Sequence, residues 1–350
     1  MDPCVALLFQ PNISNQSRTL LIADENALQA IEQMPIDGDI LLMTNRYDIF
    51  LKCQERKLQC QYTDFDFTAL EPQSFDCVLY RISKERPVSH HIINNAYTLL
   101  KQGGQLILSG AKNEGIKSYT SNAAKLFGTK ATAEKHGSFY RASLTKSAGN
   151  TAKWLDSKDY PAIRTIYEAD DLKLQSKPGV FGWNKIDKGS QLLLDTAENY
   201  LSDSGINPKS LLDLGCGYGY ISLRTKHWPS LEERWATDNN AAAILCTQAN
   251  AKSNALNIET VADDCANSID KRFDLILCNP PFHQGFEVDQ SLTLKFLGQT
   301  QRHLNSDGIA LFVVNQFIAI PKLAEKYFEQ CTELASDGSF KVYCLQGRNH

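Results

Sequence analysis

The feature that most constrains this chain is an internal repeat between its two halves. Three segments recur in the same order and at comparable intervals: residues 75–80 and 273–278, residues 100–108 and 304–312, and residues 137–139 and 338–340. Self-similarity of this kind indicates a duplicated structural unit. A length of 350 residues is enough for two domains that each bury a core, so the sequence predicts two copies of one domain.

Apolar runs of strand length alternate with segments of helical length in the first half, at residues 20–24, 39–44 and 75–80. Such alternation predicts βαβ units and a mostly parallel sheet. We expect a helix that stops at Gly103 and Gly104, with a strand after it. The sequence therefore predicts an α/β fold of two tandem Rossmann-like domains.

Domain boundaries follow from the repeat and from local composition. Residues 151–175 are polar, as is typical of a linker, so we expect a first domain at residues 1–150 and a second at residues 176–350. Near the start of the second domain we expect a helix with Ser190 as its N-cap.

Composition excludes several classes of protein. Hydrophobic content of 43%, charged content of 22% and a net charge of −4 are typical of a soluble globular chain and exclude a surface that is basic throughout. None of the ten cysteines forms a Cys-x-x-Cys pair, which favours buried reduced thiols over disulfides or a metal site. An acidic N-terminus and the lack of an apolar run of roughly 18 residues predict a cytoplasmic protein without membrane contact.

One stretch of the first half is locally basic. Between residues 112 and 153 the basic side chains outnumber Glu114 and Glu134, and they are Lys112, Lys117, Lys125, Lys130, Lys135, Arg141, Lys146 and Lys153. Two interpretations stay open: a solvated helical face, or a surface that contacts RNA phosphates.

A glycine-rich turn follows the first strand of the second half. This strand ends in Asp213, and Gly215, Gly217 and Gly219 alternate before a helix begins. Glycines let the backbone come close to a ligand. The spacing is not that of the dinucleotide fingerprint or of a P-loop. The first copy has residues 23–26, without glycine, in place of this turn.

Two further strands of the second half end in acidic residues. Asp238 follows Asp213 by 25 residues, where such folds hold a ribose diol. Asp263 and Asp264 together end the next strand, and either can be the functional acid.

The sequence Asn279-Pro280-Pro281-Phe282 ends an apolar strand at residues 273–278. Proline has no N–H for a central strand, so the strand must stop at Asn279. Ligands bind at the carboxyl ends of strands in open α/β sheets, and a rigid amide beside an aromatic ring suits a flat substrate with an amino group. A plain Pro-Pro turn is the alternative. The first copy has residues 81–84 here, so we expect it to keep the scaffold and lack the site.

Together these motifs resemble the class I S-adenosylmethionine-dependent methyltransferases. The run from Asn279 to His283, with residues 179–181 upstream and residues 302–305 and 340–343 downstream, resembles the ribosomal RNA small subunit methyltransferase C family. The resemblance implies two seven-stranded sheets, a degenerate first copy, S-adenosylmethionine as cofactor and methyl transfer to the N2 amine of a guanine in 16S ribosomal RNA. The expected partner is that RNA or the 30S subunit, and the expected state is a monomer.

The resemblance also assigns roles to side chains of the second copy. Residues at the strand ends would bind the cofactor, with the first four at its methionine end, the fifth at the ribose and the sixth at the adenine: Asp213, Gly215, Gly217, Gly219, Asp238, Asp264 and Asn279. The implied catalytic residues are Asn279, Pro280 and Phe282. The implied substrate-binding residues are Pro281, Phe282, His283 and Phe181.

The chemistry of a guanine amine fits these residues. The Asn279 side-chain oxygen and the Pro280 carbonyl can accept its two hydrogens, which orients the nitrogen, and Phe282 can stack on the base for about 1–3 kcal/mol. A guanine inside a helix must be flipped out to reach the site. His283 can act as a base or pack on the substrate, and Phe181 can cover a ligand or lie in the core.

Two other functions remain open. Adenine N6 and a protein glutamine amide also offer a planar amine to such a site, with the same cofactor. A non-catalytic RNA-binding assembly factor is the alternative from another class.

Overall fold

The computed structural model describes residues 2–9, 17–33, 38–147, 153–169, 171–281, 283–284, 287–288 and 290–347. It divides the chain into two compact units, Met1–Ala162 (the first unit) and Ile163–His350 (the second unit).

The first unit contains a seven-stranded sheet. Its strands are β1 (Thr19–Ala23), β2 (Ile40–Thr44), β3 (Cys60–Tyr62), β4 (Phe75–Arg81), β5 (Leu100–Ala111), β6 (Glu134–His136) and β7 (Phe139–Thr145). Its helices are α1 (Pro3–Leu8), α2 (Leu28–Gln33), α3 (Tyr47–Glu55), α4 (Arg86–Leu99) and α5 (Ile116–Phe127). The strand order is β3-β2-β1-β4-β5-β7-β6, and β7 is antiparallel to both of its neighbours, whereas the other described pairings are parallel.

The second unit repeats this arrangement after a short strand pair. Its strands are β8 (Arg164–Ala169), β9 (Leu172–Ser176), β10 (Ser210–Leu214), β11 (Glu233–Asp238), β12 (Glu259–Ala262), β13 (Phe273–Cys278), β14 (His283–Gln284), β15 (Glu287–Val288), β16 (Leu304–Asn315), β17 (Gln330–Ser336) and β18 (Phe340–Gln346). Its helices are α6 (Lys188–Ser204), α7 (Tyr220–Arg224), α8 (Ala241–Ser253), α9 (Gln290–His303) and α10 (Ile320–Ala324). The large sheet has the order β12-β11-β10-β13-β16-β18-β17, and β18 is antiparallel to both neighbours.

Strand for strand, the two seven-stranded sheets have the same order and the same directions. The prediction of a duplicated, mostly parallel α/β domain is therefore confirmed. The central strands are mostly apolar because both faces of each sheet are covered. In β13, Leu275 and Leu277 pack into one core cluster, while Ile276 and Cys278 pack into the cluster on the other face.

The repeated Phe-Asp pair has a structural role at the start of β13. The Oδ2 atom of Asp274 accepts the backbone N–H groups of Lys209 at 2.9 Å and Ser210 at 3.1 Å, and its Oδ1 atom accepts the Asn305 amide at 2.7 Å. One carboxylate thus fastens the amino ends of β10 and β16 to β13.

The first unit uses its own aspartate in the same way. Asp76 accepts the backbone N–H of Arg18 at 2.9 Å and the ammonium of Lys101 at 2.7 Å. In both units a glycine of the next strand passes close by: a Cβ at Gly104 or Gly308 would lie within 3.2 Å of a carbonyl oxygen of β4 or β13. These contacts explain why Phe-Asp and the later glycine recur together.

Two expectations about local structure are wrong. The helix expected to stop at Gly103 and Gly104 already ends at Leu99, and β5 begins at Leu100 and contains both glycines. Gly103 has a φ of +78° where the register between β4 and β5 shifts, so it serves a bulge and not a helix end.

The stretch expected to be a linker contains the antiparallel pair β8 and β9. Side chains of α8 and of the residue after it hold this pair: Asn254 accepts the N–H of Lys173 at 2.8 Å, and Asn250 accepts the N–H of Gln175 at 2.7 Å. Much of the expected linker is therefore part of the second unit.

We predict that Asp274→Ala lowers the free energy of unfolding by about 1–3 kcal/mol, because the bonded N–H groups lose a charged acceptor. Burial acts to raise the pKa of Asp274, but the hydrogen bonds from Asn305, Lys209 and Ser210 outweigh it and lower the pKa. The stabilisation should therefore be complete above about pH 4 and should disappear as the pH falls through the lower native pKa. Urea unfolding of both proteins from pH 7 to about pH 2.5 measures this difference.

Asp307→Ala is the matched control, because Asp307 is an exposed carboxylate of the same unit. An Asp274→Ala loss as small as the control's, or one that persists at the acid end of the range, would contradict this role.

Candidate active site

The glycine turn folds against the end of the neighbouring strand. The backbone N–H groups of Gly215 and Cys216 both donate to the carbonyl of Thr237 in β11, at 2.9 and 3.0 Å. Gly215, Gly217 and Gly219 have φ values of +82°, +57° and +81°. Side chains other than glycine rarely adopt this region, so the three glycines set the path of the turn.

The turn is open at one glycine and closed at another. A Cβ at Gly217 would meet no atom within 4 Å, whereas a Cβ at Gly219 would lie 2.9 Å from the side chain of Thr247. Gly219 is therefore needed for packing against α8, and Gly217 leaves free space beside the backbone.

Asp213 is fully buried near the end of β10. Its Oδ2 atom accepts the backbone N–H of Ser222 at 3.0 Å and the Ser222 hydroxyl at 2.7 Å. Its Oδ1 atom is buried and has no hydrogen-bond partner among the described residues. Burial, only partly offset by the bonds from Ser222, raises the pKa of Asp213 to about 7.

Asp238, at the end of β11, lies directly beside the turn. Its Oδ2 atom accepts the N–H of Gly217 at 2.9 Å, and its Oδ1 atom accepts the N–H of Asn240 at 2.8 Å. Asn240 in turn donates to the carbonyl of Gly179 at 3.0 Å. One carboxylate thus connects the glycine turn to the start of α8.

The two acids after β12 have different surroundings. Asp263 is buried, and its oxygens accept the N–H of Asp264 at 2.7 Å and the N–H and hydroxyl of Ser268 at 2.7 and 2.8 Å. Asp264 is partly exposed and pairs with Lys295 at 2.5 Å. Asp263 thus shapes the loop, and Asp264 is the more exposed of the two acids.

Parallel pairing brings Asn279 to the glycine turn. Leu214 of β10 and Cys278 of β13 are register partners, so the next residues, Gly215 and Asn279, leave the sheet side by side. Pro280 is buried and Pro281 is exposed.

The side-chain nitrogen of Asn279 donates to Asp187 Oδ2 and to Ser190 Oγ, both at 2.9 Å. The expectation that Ser190 is an N-cap is wrong: Asp187 caps α6 by accepting the N–H of Ser190 at 2.8 Å, and Ser190 is the third residue of the helix. Sequence reasoning missed Asp187 as a site residue. Its one signal is an acid three residues before a helical serine.

Three of the predicted substrate residues have different outcomes. Phe181 is 79% exposed, so it is not a core aromatic. Phe282 and the side chain of His283 lie outside the described residues. Their roles therefore stay predictions.

The corresponding edge of the first unit holds charged side chains instead. By the repeat, Arg81 occupies the position of Asn279, and it is 5% exposed. Its guanidinium pairs with Asp2 at 3.1 Å and with Glu114 at 2.7 Å. A buried arginine in an ion network takes the place of the amide.

Cysteines and metals play no identified part in this site. All ten cysteines are free, and burial raises the pKa of the Cys216 and Cys278 thiols well above the ordinary value, which disfavours a nucleophilic role. In the described part of the chain, no group of His, Cys, Asp and Glu side chains could hold a metal ion. No helix there has both the length and the apolar character to cross a membrane.

Comparison with known proteins gives consistent relatives. The methyltransferase small domain family matches residues 171–344, and the family of its N-terminal domain matches residues 10–158. Ribosomal RNA small subunit methyltransferase C of Erwinia tasmaniensis is 30% identical over 77% of this chain and 75% of its own length. The protein of the same description from Pseudoalteromonas atlantica is 28% identical over 97% of both chains.

A solved structure extends the likeness to the whole fold. The T. thermophilus 16S rRNA N2 G1207 methyltransferase (RsmC), in complex with AdoMet and guanosine, superposes with a TM-score of 0.82 at 24% identity. The match covers 99% of this chain and 92% of that chain.

The seven-stranded sheets in this strand order, with a glycine turn beside Asn-Pro-Pro, define a class I methyltransferase. Similarity over the full length of the chain identifies one family within that class. This chain belongs to the ribosomal RNA small subunit methyltransferase C family.

We predict unequal losses of stability for alanine at two glycines of the turn. Gly219→Ala should lower the free energy of unfolding by more than about 2 kcal/mol, because a strained φ and a 2.9 Å clash with Thr247 add together. Gly217→Ala should cost only about 1 kcal/mol, since it has the strain without the clash. Chemical denaturation measures both, and equal losses would contradict this account of the turn.

Proposed function

We propose that this protein transfers a methyl group from S-adenosylmethionine to the exocyclic N2 amine of a guanine in 16S ribosomal RNA. The observation that carries the proposal is the fixed amide of Asn279 beside the glycine turn, because it offers an acceptor for an amine next to a cofactor cradle. The family, and the guanosine and AdoMet of the T. thermophilus structure, support the same substrate and cofactor.

The residues around the turn fit S-adenosylmethionine, which supplies a methyl group on a positively charged sulfur when it is bound. Asp213 has a buried oxygen without a partner among the described residues, which suits the cationic methionine end. Gly217 leaves room against the backbone. Asp238 suits the ribose hydroxyls, and Asp264 is the more exposed of the two acids that could contact the adenine.

Asn279 and Pro280 act on the amine by orienting it. The N2 amine of guanine is a poor nucleophile because its lone pair is delocalised into the ring. When the Asn279 oxygen and the Pro280 carbonyl accept its two hydrogens, the nitrogen is aligned with the methyl group and loses conjugation. The proton can leave after transfer, when the nitrogen has become acidic, so the step requires no strong general base.

The partner in this proposal is 16S ribosomal RNA, free or in the 30S subunit, and the site of action is the cytoplasm, where the protein works as a monomer. Phe282 stacks on the flipped base, with Pro281, His283 and Phe181 around it. Domain roles follow the repeat: the second domain catalyses and the first, without a cofactor site, is structural or binds RNA.

The basic stretch of the first unit divides into two groups. Lys146 is buried and donates to the carbonyl of Leu100 at 2.7 Å, and Arg141 donates to the carbonyl of Leu7 at 3.0 Å. These two side chains have structural roles. Exposed side chains are Lys112, Lys117, Lys125, Lys130, Lys135 and Lys153, and we assign the RNA phosphates to this group.

We predict that Asn279→Ala lowers kcat for methyl transfer by about 10²–10³-fold, because the amine loses its oriented acceptor. Tritiated-methyl transfer to 30S subunits that lack the mark measures the rate, with naked 16S RNA, DNA and protein as other acceptors. Asn207→Ala, which removes an exposed amide just before the amino end of β10 and thus at the other end of that strand from the site, is the control and should be fully active.

Undiminished transfer by Asn279→Ala would contradict the mechanism. Transfer to adenine or to a glutamine amide, and not to guanine, would assign that group as the substrate. No transfer, with RNA binding retained, would favour an assembly factor.

We predict that changing Lys125, Lys130 and Lys135 to Gln weakens RNA binding and flattens its salt dependence, by up to about 0.7–0.9 in the log–log slope for each phosphate that is no longer neutralised. The control changes the exposed Lys209, Lys252 and Lys322 to Gln, which alters the net charge equally. Filter binding from about 50 to 300 mM KCl measures both variants. If the two triple variants behave alike, the exposed lysines of the first unit do not form a specific RNA surface.

A further inference from the structure

We infer that Asp187 and Ser190 are positioning residues that hold the Asn279 amide with its nitrogen turned away from the substrate and its oxygen presented to the amine. This inference rests on the proposed function, and it assigns a task to two side chains at the start of α6 that the sequence motifs do not include.

The orientation of the amide follows from the chemistry of its neighbours. The Oδ2 atom of Asp187 already accepts the N–H of Ser190 at 2.8 Å. Because this oxygen is an acceptor, only the NH₂ group of Asn279 can face it at 2.9 Å. The hydroxyl of Ser190 lies 3.2 Å from the same Oδ2 atom and donates its hydrogen there. The Ser190 oxygen is therefore left with lone pairs, and it accepts the second Asn279 hydrogen at 2.9 Å. With both hydrogens bound, the Asn279 oxygen faces the opposite way.

The two acceptors are themselves fixed. Asp187 accepts the N–H of Ser190 at 2.8 Å and so caps the 17-residue helix α6. Leu193, Leu194 and Ala197 anchor this helix in the core. The helix thus holds both acceptors at the carboxyl edge of the sheet, ready for the amide.

Gly189 gives the clamp formed by Asp187 and Ser190 its room. A Cβ at this position would lie 3.1 Å from Asp187 Oδ2 and 3.2 Å from the ring of Phe340, which is tighter than ordinary contact. A larger side chain would push against the carboxylate, so this glycine belongs to the same arrangement.

The clamp determines which chemical group the site accepts. An oxygen fixed in this direction attracts an N–H donor and repels a carbonyl, because two acceptors face each other. An amide free to rotate could serve either group. The clamp therefore selects an amino edge such as N2 of guanine and rejects an oxo edge such as O6.

The test is a double-mutant cycle with kcat and KM measured separately. Ser190→Ala removes one acceptor and leaves the Asp187 cap. Asp187→Ser keeps an N-cap oxygen, but the shorter side chain does not reach the Asn279 amide. Each should lower kcat about tenfold and leave the KM for S-adenosylmethionine within about twofold, since only the amide loses its alignment.

In the Asn279→Ala background the same two changes should alter kcat less than about twofold, because no amide remains to be held. Thr196→Ala removes another hydroxyl from α6, where Thr196 bonds the carbonyl of Leu192, and should leave the wild-type rate unchanged. Equal losses with and without Asn279 would show a general effect on folding and would overturn the clamp.

A second measurement needs no turnover. Asn279→Asp sets two carboxylates against each other, so the thermal midpoint at about pH 7.5 should fall. Adding Asp187→Asn puts the amide donor at position 187 and leaves the carboxylate acceptor at position 279. This double variant should recover at least half of the decrease in thermal midpoint. A double variant no more stable than Asn279→Asp alone would overturn the clamp. Recovery of the double variant, together with no transfer to guanine by the wild-type protein, would uphold the clamp and refute the proposed function.

Discussion

Parallel pairing of β10 with β13 is the interaction on which the rest of the site depends. Leu214 and Cys278 are register partners at the last buried level of the sheet. Gly215 follows β10, and Asn279 with two prolines follows β13. Both segments therefore leave the sheet at the same level. The backbone turn and the amide are therefore neighbours because of strand register, and no side chain has to bring them together.

The same register operates in the first unit with different chemistry at the edge. Arg81 ends β4 where Asn279 follows β13, and Asp2 and Glu114 neutralise it. Removing one partner of such a buried pair costs about 3–5 kcal/mol, because a charge is left unpaired. The edge that carries the candidate site in the second unit is thus occupied by paired charged side chains in the first unit. This difference supports assigning catalysis to the second domain alone.

The sequence was sufficient for the features that depend on local pattern. Both faces of the central strands are buried, so apolar runs such as residues 273–278 mark them directly, and the repeat then predicts the duplication. The sequence was insufficient where polar residues far apart along the chain form hydrogen bonds. Asp187 and Asn279 lie 92 residues apart, and Ser268 decides which of two adjacent acids is buried. The hairpin of β8 and β9 was missed because its strands are mostly polar and half-exposed.

Asp213 differs sharply from its counterpart in the first unit. Register places Leu21 opposite Leu79 and Asp213 opposite Leu277. Leu79 and Leu277 correspond in the repeat, so the apolar Leu21 stands where the second unit has the acid. The scaffold therefore folds with an apolar side chain at this position. A buried carboxyl with an unpaired oxygen is a net cost, commonly about 1–3 kcal/mol, and burial raises the pKa of Asp213 to about 7. Because the sheet itself needs no acid there, we propose that Asp213 serves a ligand at this edge in addition to accepting the two hydrogen bonds from Ser222.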